Sequence, residues 1–187
     1  TGLMFRVVAY NLLSIKKNDL KNLESLSCEF AKSLSFIAIN EKKLRSEETS
    51  FMASKIAVFP ELRNILKLKQ IEFSNINKKK YGGCILDGRD IGTVILPNAD
   101  FKFFITASIE IRAKRRLLEK NISCLQEQNV ECMLHSIMKD ISRRDEVDKS
   151  RLISPLVPAK DAFIIDTSMI DANELMSIVV KIIEGRN

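Results

Sequence analysis

The segment Asp87-Gly88-Arg89-Asp90 sets two carboxylates around one guanidinium, with Gly92 and Thr93 close behind. Such a group could bind a phosphate together with a base or a divalent metal. The same residues suit a turn whose Asp caps the next element, because short Asp-Gly turns are common. Arg112, Lys114, Arg115 and Arg116 concentrate charge a second time, and Arg143, Arg144, Asp148, Lys149 and Arg151 a third. Arg112 and Arg116 are four apart and share a helix face, and Arg144, Asp148 and Arg151 fall at i, i+4, i+7. Planar guanidinium groups match phosphate oxygens bidentately, and phosphoryl transfer needs charge stabilised over several oxygens. Either face alone also reads as a solvated cationic surface. Two of them flanking the polar stretch 121–129 point to a phosphate clamp with a lid.

These groups need a scaffold. Cys84-Ile85-Leu86 running into Asp87, Phe101 to Thr106, and Ala162 to Asp166 are brief continuous apolar runs separated by helical stretches. That pattern predicts parallel strands buried on both faces. Ligands of open parallel sheets bind beyond the carboxyl ends of the strands, where Asp87 to Asp90 would then lie. Helices are predicted from Ser108 to about Lys120, from about Val130 to Arg144, and from Asp171 to Glu184. The last opens on Asp171 and Glu174 at capping-box spacing. Upstream, Leu3 to Leu13 reads as a buried helix, and Asp19 as the cap of a second carrying Leu20, Leu23, Leu26 and Phe30. Residues 36–48 read as a loop or clipped insertion, and Ser50 to Val58 as a helix. Pro60 suits the first turn of a helix ending near Phe73, with 75–80 a solvated basic loop. Alternating strand and helix implies an α/β fold with a parallel core sheet.

Composition narrows the ligand class. The 187 residues, 45% apolar and 29% charged, suffice for one domain with a core. A net charge of +6 suits polyanions, whether nucleotides or nucleic acid. A nucleic-acid binder would interleave aromatic rings with its cations, and none occurs within 112–116 or 143–151. Cys28, Cys84, Cys124 and Cys132 show no paired ligand spacing, and His135 reads as a helix-surface residue. Irregular cysteines suggest a reducing cytoplasm. No apolar run approaches the roughly 20 residues of a membrane-spanning helix, so no membrane partner is expected.

Several blocks in register resemble the bacterial-type cytidylate kinases, a nucleoside monophosphate kinase family. They are Asp87 to Thr93; Ala107-Ser108 through Arg112 to Arg116; Arg144-Asp145 with Asp148 and Arg151; and Pro155 to Ala159 with Asp161-Ala162. Thr1-Gly2-Leu3-Met4-Phe5-Arg6 is similar to the family's S-G-x-x-Y-R segment, and Ala57 to Pro60 with Leu62-Arg63 to its A-x-F-P-x-V-R segment. The resemblance covers almost the whole chain.

It implies one kinase domain over 1–187, a three-layer parallel-sheet P-loop kinase fold with a CMP-binding region near 14–62 and a lid near 117–147. The implied reaction moves the γ-phosphoryl of ATP, with Mg²⁺, to CMP or dCMP. Ser54, Arg63 and Asp90 would read the cytosine, and Arg144 and Asp148 would hold the ribose. Thr1, Arg6, Arg89 and Arg151 would grip the CMP phosphate. Arg112 and Arg116 would contact the ATP phosphates, and Asp87 would order the Mg²⁺ shell through water, no side chain ligating the metal directly. The enzyme is expected to be monomeric when complete, cytoplasmic, and without nucleic-acid partners.

Three departures accompany the resemblance. Phe5 stands where the segment has Tyr, and 35–45 is shorter than the family's strand-rich insert. The loop G-x-x-x-x-G-K-[ST] does not occur in these residues, none of the six glycines being followed by Lys. The central P-loop strand is therefore expected to be absent from the chain as given, which alone would neither turn over nor fold as a stable kinase domain. An inactive remnant keeping only a CMP half-site is the alternative reading.

Overall fold

The computed structural model describes residues 2–15, 22–34, 41–119, 127–151 and 154–185. The chain divides into two compact units, Thr1–Ile91 and Gly92–Asn187.

The described part of the first unit is helical, with α1 (Gly2–Leu13), α2 (Leu23–Lys32), a short α3 (Glu41–Leu44), α4 (Glu47–Ile56) and α5 (Pro60–Tyr81). In α1, Met4, Val8, Ala9 and Leu12 form a single buried stripe, while Leu3 and Leu13 are exposed. The helix is thus buried along one stripe and not all round, its other apolar residues being half-buried or exposed. The stripe packs with Cys28 and Ala31 of α2, Ala53 and Ile56 of α4, and Leu62 and Leu66 of α5. Burial raises the Cys28 thiol pKa, helped by Glu61 and Glu24.

Helix boundaries differ from expectation where polar residues carry the start signal. Asp19 and Leu20 lie outside the described residues, and α2 is capped by Asn22, whose side chain accepts from the Ser25 N–H. The expected loop 36–48 contains α3 and the start of α4. Ser46 accepts from the Thr49 N–H at 3.2 Å, and Glu47 and Glu48 favour the first turn electrostatically. The basic stretch 75–80 is no loop either: α5 runs on to Tyr81. Gly82 ends it in the left-handed conformation (φ 80°), its N–H donating to the Lys78 carbonyl, while Lys78, Lys79 and Lys80 face the negative end of the helix dipole.

The second unit holds β1 (Phe103–Thr106), α6 (Ile109–Glu119), α7 (Glu127–Ser150), β2 (Phe163–Asp166) and α8 (Ala172–Glu184). The strands pair in parallel, Phe103 with Phe163 through Thr106 with Asp166, and the two Phe rings stack at 5.7 Å. The fold is thus mixed helix and sheet, with a two-stranded parallel sheet among the described residues. The strand expected at 84–87 is irregular with Ile85 96% exposed, because no described segment supplies the ladder its backbone groups would need. Ala113, Ile137 and Ile141 join α6 to α7. With neither Gly nor Pro between 127 and 150, α7 extends six residues past Arg144 and carries Asp148 on the same helix.

The carboxyl ends of the strands are fixed by side chains. Asp166 Oδ1 accepts from the Ser168 hydroxyl at 2.6 Å and its backbone N–H at 2.8 Å, which holds the carboxyl below its ordinary pKa. The Ser168 hydroxyl in turn accepts from the Ser108 N–H at the head of α6. Arg115 donates to the Thr167 hydroxyl and carbonyl, so this member of the cationic run braces the fold. The expected box at Asp171 and Glu174 is formed in both directions.

Removing side-chain volume at the first core should cost far more than removing the last cap. Leu12→Ala, at a fully buried position, is expected to destabilise by about 2–5 kcal/mol. Asp171→Ala should cost about 1 kcal/mol. Urea unfolding of the two variants checks the order, and equal losses would place the core elsewhere.

Candidate functional site

Each unit assembles its own cluster of the residues expected to act. In the first, the first turn of α5 and the loop before Ile91 bring Arg63 and Asp90 together. Arg63 Nη1 lies 3.5 Å from Asp90 Oδ2, with the two side chains only 14% and 15% exposed. Arg63 Nε donates to the Ala57 carbonyl at 2.6 Å, and the guanidinium carbon sits 5.7 Å from the centre of the Phe5 ring on α1. Arg6, also on α1, donates through Nη1 to the Leu44 carbonyl at 2.9 Å and to the Ser50 hydroxyl at 2.8 Å. Ser54 is exposed one turn beyond Ser50 on α4. Arg89 is half-buried in the bend preceding Asp90, and Asp87 is exposed. Thr1 lies outside the described residues.

The second cluster joins α6 to α7. The Arg112 guanidinium meets Asp145 in a bidentate pair, Nη1 to Oδ1 at 3.0 Å and Nη2 to Oδ2 at 2.6 Å, while Nε donates to the Ala107 carbonyl. Arg116, one turn on, is exposed. Arg144, Asp148 and Arg151 come together as their spacing predicts. Asp148 is 2% exposed, with Arg151 Nη2 at 2.7 Å from its Oδ1 and Arg144 Nε at 3.9 Å from its Oδ2. The Asp148 carbonyl accepts from the Leu156 N–H at 2.8 Å, which folds the chain back over the helix end, and Ser154 turns there with φ 56°. A non-glycine residue in that region is uncommon and needs its surroundings to hold it. By contrast, the Arg143–Asp140 pair is exposed and contributes little.

Three partners were not legible in the residue pattern. Asp145 follows Arg144 in the sequence, but its mate is 33 residues upstream, and only tertiary packing makes the pair. Ser50 and Phe5 likewise hold their arginines across helices. At Gly92 the lack of a side chain allows close packing, since a Cβ there would sit 3.2 Å from Lys102 Cδ.

Chemically, each cluster sets guanidinium groups against carboxylates of its own unit, a combination of donors and acceptors. Among the described residues no group of three or more His, Cys, Asp or Glu could hold a metal ion. Asp87, the carboxylate expected to act on a metal through water, is exposed, and a single carboxylate suits a cation that keeps several of its waters. None of the described helices is long and apolar enough to cross a membrane.

Comparison with known proteins gives the same direction. The cytidylate kinase family profile matches residues 1–185. The chain is 39% identical to the cytidylate kinase of Bartonella tribocorum over 98% of its own length and 80% of that protein's. It is 39% identical to that of Methylocella silvestris, over 99% and 81% respectively. The cytidylate kinase of Clostridium botulinum strain Langeland is 37% identical, over 98% and 84%. Likeness at this level along nearly every residue disfavours reading the chain as an inactive remnant. The chain belongs to the cytidylate kinase family.

Proposed function

We propose that this protein transfers the γ-phosphoryl group of ATP to CMP or dCMP, giving the diphosphate, within a three-layer P-loop kinase fold. The observation that carries the base preference is the Arg63–Asp90 pair, a donor and an acceptor side by side and mostly buried. A carboxylate there accepts from the exocyclic amine that cytosine bears at C4 and uracil lacks, while the guanidinium donates to the ring's acceptor edge. Ser54 adds a hydroxyl from α4. Arg144 and Asp148 hold the ribose, the buried carboxylate accepting from a sugar hydroxyl. Arg6, Arg89 and Arg151 grip the monophosphate, with Thr1 from the chain's beginning.

Arg112 and Arg116 approach the ATP phosphates, and Asp145 orients Arg112 for that contact. Asp87 would help hold a Mg²⁺ ion through water, and that ion would supply positive charge to offset the ATP phosphates. The protein's remaining work is positioning and charge stabilisation with water excluded, and no covalent intermediate is formed. The region near 14–62 serves the monophosphate and that near 117–147 acts as a lid. Residues 120–126 of that lid lie outside the described residues. Small nucleotides are the partners, and the enzyme works as a cytoplasmic monomer without nucleic acid.

A coupled assay of ADP release checks the substrate. CMP should be used with strong preference over AMP and clear preference over UMP, and equal use of AMP would defeat the role given to Arg63 and Asp90.

Arg144 and Asp148 should separate by burial. Arg144→Ala, at an exposed position, is expected to leave melting within about 0.5 kcal/mol of wild type, while removal of a charge-assisted contact lowers catalytic efficiency about tenfold or more. Asp148→Ala should lower both, since it strands Arg151 beside a buried gap. Kinetics normalised to folded protein, alongside thermal melts, distinguish the two. A large melting loss in Arg144→Ala with normal turnover would make that residue structural.

A further inference from the structure

Three of the contacts that hold Arg63 act on different parts of its guanidinium. The hydrogen bond from Nε to the Ala57 carbonyl pins the near end of the guanidinium at 2.6 Å. The Asp90 carboxylate lies 3.5 Å from Nη1, beyond the roughly 2.7–2.9 Å of a tight charge-assisted bond. Both contacts act through polar N–H groups of the guanidinium. The third is the Phe5 ring, 5.7 Å away and within the distance at which an aromatic face attracts a cation. Phe5 sits on α1 next to Met4, packed against the buried core, so the ring rides on a rigid helix. It contributes no polar atom.

We propose that Phe5 is a positioning residue for base recognition: its ring face holds the Arg63 guanidinium in the plane that presents it, beside Asp90, to the nucleobase. The inference rests on the reading that Arg63 and Asp90 recognise cytosine. It also gives the Tyr-to-Phe departure at this position a reason, since a ring face serves the guanidinium with or without a phenolic hydroxyl. Without that face, the guanidinium samples orientations that miss the base, and affinity for CMP falls by the fraction of molecules wrongly aimed.

Steady-state kinetics of the intact protein with CMP varied at saturating ATP, together with thermal melts, test it. Phe5→Leu and Phe5→Met keep apolar volume and remove the ring. Each should raise KM for CMP roughly three- to thirtyfold, with a smaller change in kcat and none in KM for ATP. Phe5→Tyr, which restores the face, should stay within about twofold of wild type. The proposal is overturned if Arg63→Ala raises KM for CMP while neither ring-removing variant does. It is also overturned if Phe5→Tyr is as impaired as Phe5→Leu, because the effect would then follow packing and not the ring face. Should Arg63→Ala itself leave KM for CMP unchanged, the base-recognition reading falls, and this inference with it.

Discussion

A guanidinium withdrawn from water needs an acceptor or a counter-charge in reach, and this requirement organises both units. Arg63 is only 14% exposed and meets Ala57 and Asp90; Arg151 leans on the buried Asp148; Arg112 shares two hydrogen bonds with Asp145. Removing one partner from such a pair costs more than the pair contributes, because the stranded charge remains. The arrangement therefore fixes side-chain direction more than it adds stability. Directed cations are what phosphoryl transfer asks of a protein, since the reaction depends on charge aimed at developing oxygens and not on a nucleophile supplied by the chain.

The pairing also sets up competition. A carboxylate that holds an arginine occupies part of the donor fork a phosphate would use. Arg112 spends both Nη groups on Asp145 and Nε on Ala107. A phosphate must then either reach the outer N–H groups of the same fork or draw the guanidinium off its carboxylate. Arg116, exposed a turn away, is more openly placed. The buried Asp148 has the opposite character, anchored through its own carbonyl to Leu156 as well as to Arg151.

What the sequence conveyed depended on how local the signal was. The spacing of Arg144 and Asp148 is a property of one helix, Arg151 follows directly after its last residue, and the three do meet. The capping box at Asp171 is local too and is formed as read, and parallel strands do form within the runs Phe101 to Thr106 and Ala162 to Asp166. The failures came where a decision belonged to the surroundings. Cys84 to Leu86 has strand composition, yet a strand requires a neighbour. The lysines at 78–80 resemble a loop by charge, yet they suit a helix end closed by Gly82. Ser46 and its two glutamates begin a helix inside a segment that looked merely polar. Arg112 with Asp145, and Arg63 with Phe5, join residues far apart in the chain, and no local pattern encodes either.

The central claim is that carboxylates aim the arginines before nucleotide arrives, and coupling between a carboxylate and its arginine measures this most directly. A double-mutant cycle with Asp148→Asn and Arg151→Met, read as CMP affinity by calorimetry on the intact protein, isolates that coupling from each residue's own contact. The account predicts an interaction of about 1 kcal/mol or more, each substitution mattering much less once the other is made. Additivity within about 0.3–0.5 kcal/mol would contradict it, showing that the two residues meet the nucleotide independently and that their pairing does not prepare the site.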